Sequence, residues 1–198
     1  TLRKALQYIF NDAQTFTDCA APTVGGPNSI AFADASDINQ SLVAGTFPSI
    51  KNQVTITGPK NIIGNGSDRI FNVSTSTGDL TITSMNFSNA KTAIRVQNGG
   101  KLSIGSSGFA NNSSNGSFGG AHEVDGSLNI SGSTFSANSA TQQGGAIYLS
   151  GTGNSSITTT NFFNNTATDD GGAIYVSINS AAPPATLAIT TAGFQGNK

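Results

Sequence analysis

Along the chain, pairs of apolar residues flank a single small residue at a recurring interval. They stand at Val54-Thr55-Ile56, Leu80-Thr81-Ile82, Leu102-Ser103-Ile104, Leu128-Asn129-Ile130 and Leu187-Ala188-Ile189, with Ser155-Ser156-Ile157 in the same series. Their starts lie 26, 22, 26, 27 and 32 residues apart. Apolar–polar alternation with a period of two marks a strand with one buried face. From the second doublet on, a Phe follows seven residues after the start: Phe87, Phe109, Phe135, Phe162 and Phe194. Four of these have Asn three residues later, at Asn112, Asn138, Asn165 and Asn197. Beyond the central three comes Gly-Gly-Ala, at Gly119-Gly120-Ala121, Gly144-Gly145-Ala146 and Gly171-Gly172-Ala173. Phe87 is followed instead by Ala90, and Ala93 lacks the glycine pair.

A second strand is predicted after each of these points, at Ala93-Ile94-Arg95-Val96, Ala121-His122-Glu123-Val124, Ala146-Ile147-Tyr148-Leu149 and Ala173-Ile174-Tyr175-Val176. Strict alternation turns its second and fourth residues inward and sends Ala and the Arg/Glu/Tyr/Tyr position outward. Short strands joined by Gly, Asn and Ser turns at a repeat of roughly 20–30 residues suit a solenoid. One such unit cannot bury its apolar edge, whereas stacked units bury a continuous narrow core. The expected architecture is therefore all-β: a right-handed parallel β-helix of about six coils, roughly 30 Å long at the inter-strand spacing. Its Phe, Asn and Gly residues form columns and corners. Asn suits turns because it tolerates left-handed backbone and can bond to its stacked copies. A propeller blade needs ~40 residues, too many for this period, and a sandwich would not hold five Phe at one place in every unit.

The ends add detail. Leu2, Ala5, Leu6 and Ile9 share one helical stripe, so residues 1–50 read as an N-terminal cap, with an amphipathic helix and the first strands, ahead of coils over 51–198. Pro183-Pro184, in the longest interval between Ile174 and Leu187, predicts a protruding loop. The chain ends inside a repeat unit, as expected of a fragment of a longer passenger region, with end-to-end self-association through an uncapped coil as one consequence.

Composition narrows the function classes. Gly, Ser, Thr and Asn together supply 93 of 198 residues, and Glu and Lys are too sparse for a helical bundle. Nine Lys plus Arg against ten Asp plus Glu give no basic face for nucleic acid. No apolar run approaches the ~18 residues of a membrane span. The single Cys19 rules out an internal disulfide or a Cys-based zinc site.

The paired motifs Phe-x-x-Asn and Gly-Gly-Ala-Ile resemble the repeats of chlamydial polymorphic outer membrane proteins and related bacterial surface β-helices. The opening Thr1-Leu2-Arg3-Lys4-Ala5-Leu6, with Ser29-Ile30-Ala31-Phe32 and Val54-Thr55-Ile56-Thr57-Gly58, is similar to the N-terminal part of large secreted β-helix proteins. The resemblance implies a pectin-lyase-like fold, secretion to the cell surface, and an outer-membrane autotransporter passenger acting as an adhesin toward a host-cell or neighbouring-cell protein or glycan.

Chemistry-bearing residues are few. Enzymes of this fold need clustered carboxylates: for calcium with a basic residue in lyases, or at fixed separation in hydrolases. Glu123 and Asp125 share an outward face with Arg95 one coil below, an arrangement that reads as a wall salt bridge, with a polysaccharide-active site as the alternative. Asp169-Asp170 reads as a solvated turn, since Gln142-Gln143 replaces it one coil earlier. No catalytic residue, metal ligand or cofactor is assigned, and calcium finds no supporting column of acids. His122, the only His, stands among Ile94, Ile147 and Ile174 and is expected to be a partly buried, hydrogen-bonded neutral side chain. Tyr148 and Tyr175 take the same outward position on successive coils and form, with Arg95 and Glu123, the expected binding face. Outward Thr55, Thr57, Thr81 and Thr83 begin an ice-binding type of rank that decays in later coils. A non-enzymatic surface adhesin is the leading expectation.

Overall fold

A computed structural model describes residues 27–33, 35–39, 47–177 and 186–198. The expected N-terminal helix, Cys19 and Pro183-Pro184 lie outside the described residues. The chain winds as a parallel β-solenoid of about five turns. Every inter-strand pairing is parallel and joins one turn to the next. Val54, Leu80, Leu102 and Leu128 stand in one column, and Ile56, Ile82, Ile104, Ile130, Ile157 and Ile189 in another. Asn28–Ala31 pairs with Val54–Thr57, so the winding has already begun within the first 50 residues.

The Phe column forms as the spacing requires. Ile62, Phe87, Phe109, Phe135, Phe162 and Phe194 are in register. From Phe87 to Phe194 the rings stack nearly parallel, 4.9–5.0 Å apart. Ring spacing thus equals strand spacing, so backbone pairing and aromatic packing reinforce one another. Phe109, Phe135 and Phe162 are fully buried.

Beside the Phe column runs a buried amide ladder. The Asn112 side chain donates through Nδ2 to the Phe87 carbonyl and to Asn138 Oδ1 (3.2 and 3.0 Å). Asn138 repeats the pattern onto Phe109 and Asn165, and Asn165 onto Phe135 and Asn197. Each Oδ1 also accepts the backbone N–H of the Asn one turn earlier. Donor and acceptor capacity are both consumed, which makes burial of an amide tolerable. The left-handed backbone belongs to the preceding residue instead, at Asn89, Asn111, Ala137, Asn164 and Gly196 (φ 52–65°). A second left-handed corner recurs two residues after the doublet Ile, at Ser84, Ser106, Gly132, Thr159 and Thr191 (φ 47–57°). Ser107, Ser133 and Thr160 follow the second corner and are buried. Their hydroxyls donate to the carbonyls of Gly105, Ser131 and Thr158 and pin that bend.

The glycine pairs have distinct reasons. Gly144 sits at φ +72°, whereas a Cβ on Gly145 would collide with the Gly172 carbonyl of the next turn. The Ala residues after them correct the sequence reading. Ala93, Ala121, Ala146 and Ala173 are buried, not outward. At this corner one carbonyl accepts two consecutive N–H groups: Ala146 O takes those of Ala121 and His122, both at 2.9 Å. Ala173 O likewise takes those of Ala146 and Ile147. The doubled acceptor bends the strand as a bulge does, so two successive side chains face inward and strict alternation fails.

Candidate functional site

The strand after the glycine corner builds the wall that carries most of the unusual side chains. Register places Asn72, Arg95, Glu123, Tyr148 and Tyr175 in a single outward column, one per turn. The predicted neighbours Arg95 and Glu123 do meet, Arg95 Nη2 lying 3.1 Å from Glu123 Oε1. Arg69 joins them from the turn below, with Nη2 3.4 Å from the other oxygen, Oε2. One carboxylate thus bridges two guanidiniums, all three side chains partly shielded from solvent. This geometry fixes Glu123 as an ion-pair partner. Asp125 is exposed and accepts the Asn98 backbone N–H at 3.2 Å. Among the described residues no three His, Cys, Asp or Glu side chains gather in one place. Asp169 and Asp170 are exposed in their turn.

Above the charged pair the column becomes aromatic. Tyr148 and Tyr175 stack with centroids 5.7 Å apart and planes 9° from parallel. Phe118, from the loop before the Gly119-Gly120 corner, stacks on Tyr148 at 4.4 Å and 25°. All three are half-buried, so their rings line a strip of wall and keep an edge in solvent. Sequence periodicity missed Phe118 because its counterparts are Gln143 and Asp170, and no column announces it. Arg69 had a signal: Ile70-Phe71-Asn72-Val73 is the same strand one turn earlier, disguised by the absence of Gly-Gly.

His122 departs from expectation. It is fully buried in the column of Ile94 and Ile147, and neither ring nitrogen has a hydrogen-bonding partner among the described residues. Its ring stands edge-on to Phe109 and Phe135 at 4.3 and 5.2 Å. Burial pushes its pKa down from 6.5 to about 3, with a smaller opposing effect from the Ala121 backbone. The ring is a neutral core element on the inward side of its strand. The opposite, doublet wall carries Thr81, Thr83, Ser103, Asn129, Ser131 and Thr158 around a shallow groove of about 280 Å³. Its hydroxyl rank is broken at Gly105 and Asn129, as the sequence indicates.

Residues 132–150 and 159–177 each contain a doublet-to-Phe corner, a laddered Asn, a Gly-Gly bend and the outward Tyr. Both segments match one family model. That model is the Chlamydia polymorphic membrane protein repeat, matched over these two segments. No curated protein and no solved structure matches the chain significantly. In structural terms each matched segment is the greater part of one solenoid turn, and its Phe, Asn and Gly positions are the ones that stack. The repeat and the β-helix together fit a surface-displayed β-helical region. No helix among the described residues is long and apolar enough to cross a membrane.

Proposed function

We propose that this chain is a passenger segment of a cell-surface adhesin, and that it binds glycan through the Phe118–Tyr148–Tyr175 strip. The supporting observation is the strip itself: three stacked rings on a rigid wall, partly open to solvent. Aromatic rings held on a rigid frame supply contact area at little conformational cost, and such residues dominate binding energy at interfaces. The surface family to which the repeat belongs supports display outside the cell. No catalytic role is proposed, because Glu123 is held between two guanidiniums.

The test is binding of tag-free protein to immobilised glycans and to cultured epithelial cells. The double variant Tyr148→Ala, Tyr175→Ala should bind at least about tenfold more weakly, the loss of one or two aromatic hot spots. Unchanged binding by a variant with wild-type circular dichroism would refute the strip.

A further inference from the structure

Immediately below the aromatic strip, on the same wall, the fold leaves charge unused. Lys91 and Arg95 line a cleft of about 360 Å³, together with Ser49, Asn72 and Gln97. Glu123 engages Arg95 through Nη2 alone. Among the described residues, Arg95 Nη1 and the Lys91 ammonium meet no acceptor. The carboxylate of Asp68, also in the cleft wall, is held by Asn65 Nδ2 at 2.9 Å. Arg95 thus keeps a guanidinium donor beyond its ion pair with Glu123, and the Lys91 ammonium adds a second cationic group to the same cleft. A concave, partly desolvated site with spare cationic donors and neutral amide and hydroxyl groups around them suits one bound anionic group.

The column geometry restricts what that anion can belong to. Arg95, Glu123 and Tyr148 are successive rungs, so the cation and the first ring lie two strand spacings apart, roughly 10 Å. Between them stands the Glu123 carboxylate, which would repel a second negative group one rung along and can accept a hydroxyl. The ligand must therefore place one isolated charge in the cleft, neutral hydroxyl-bearing units over Glu123, and an apolar sugar patch against the solvent-facing ring edges of Phe118 and Tyr148. We infer that the wall binds a glycan with a single terminal carboxylated sugar, its acid group seated between Lys91 and Arg95 and its neutral sugars running up onto the aromatic strip. This deepens the proposed function and rests on it for the ring contact only.

The experiment titrates the ¹⁵N-labelled chain with 3′-sialyllactose, lactose and a densely sulfated heparin octasaccharide, following amide shifts. Sialyllactose should bind about tenfold more tightly than lactose, the worth of one charge-assisted contact. The heparin octasaccharide should bind less tightly than sialyllactose. Lys91→Gln leaves the Glu123 ion pairs untouched and should erase the sialyllactose advantage while lactose affinity stays the same. Equal affinity for the two small sugars, an advantage that survives Lys91→Gln, or a preference for heparin would each overturn the inference. If lactose binding depends on Tyr148 yet sialyllactose gains nothing, the cleft fails and the strip stands. If a Lys91-dependent advantage persists in Tyr148→Ala, Tyr175→Ala with affinities unchanged, the strip fails and the anion site stands. Shifts from none of the three sugars would overturn both.

Discussion

Replacing His122 by isoleucine tests the description of the core in one position. Isoleucine is the residue in register with it in the turns on either side, Ile94 and Ile147. In the folded chain the ring stays neutral down to about pH 3, whereas in the unfolded chain it takes a proton near pH 6.5. Between those values the unfolded state binds more protons, so stability is full above 6.5 and falls as the pH drops toward 3. From pH 7 to pH 4 the linkage spans about 2.5 pH units, or roughly 3 kcal/mol at 1.36 kcal/mol per unit. Urea unfolding by circular dichroism at both pH values, on wild type and His122→Ile, isolates this effect, because the carboxylates are common to both proteins. The stability advantage of His122→Ile should grow by about 3 kcal/mol between pH 7 and pH 4. As the chain has one His, its imidazole Hε1 resonance in tag-free protein is unambiguous and should not titrate over that range. A midpoint near pH 6.5, or a constant gap between the proteins, would refute the burial of an unpartnered ring.

Two further substitutions probe the ladders and corners. Asn138→Ala strips the Asn112 N–H groups and the Phe109 carbonyl of partners inside the core. It should cost about 3 kcal/mol or more in urea unfolding at pH 7, at 1–3 kcal/mol per orphaned group, and a loss below 1 kcal/mol would mean that the ladder is not buried. Thr159→Gly relieves a β-branched residue at φ +48° on the exposed face, and the melting temperature should rise by about 1–3 °C, the equivalent of about 0.5–1 kcal/mol for a chain of this length.

What the sequence reveals here is whatever repeats. The doublets, Phe109, Phe135 and Phe162, and the Asn112–Asn197 ladder hold constant offsets, so counting suffices to align them, and the Arg95–Glu123 contact follows from that alignment. What counting cannot supply is a bond made between turns. The inward turn of Ala121 and Ala146 depends on a carbonyl in the next turn accepting two N–H groups, which no single repeat records. The place of His122 in an aliphatic column was legible, but its lack of any partner depends on the Phe rings that enclose it. Phe118 and Lys91 come from stretches where the repeat loses its motif, and only folding brings them beside Tyr148 and Arg95.

The hydrogen bonds that join one turn to the next all run along the long axis of the solenoid. A load drawing its two ends apart would meet these ladders in series, not side by side, and the weakest turn would peel first. Each released turn frees 22–32 residues of slack, on the order of 80–110 Å of extended chain. Such a tether lengthens in small successive steps under tension and spreads a tug over many modest events.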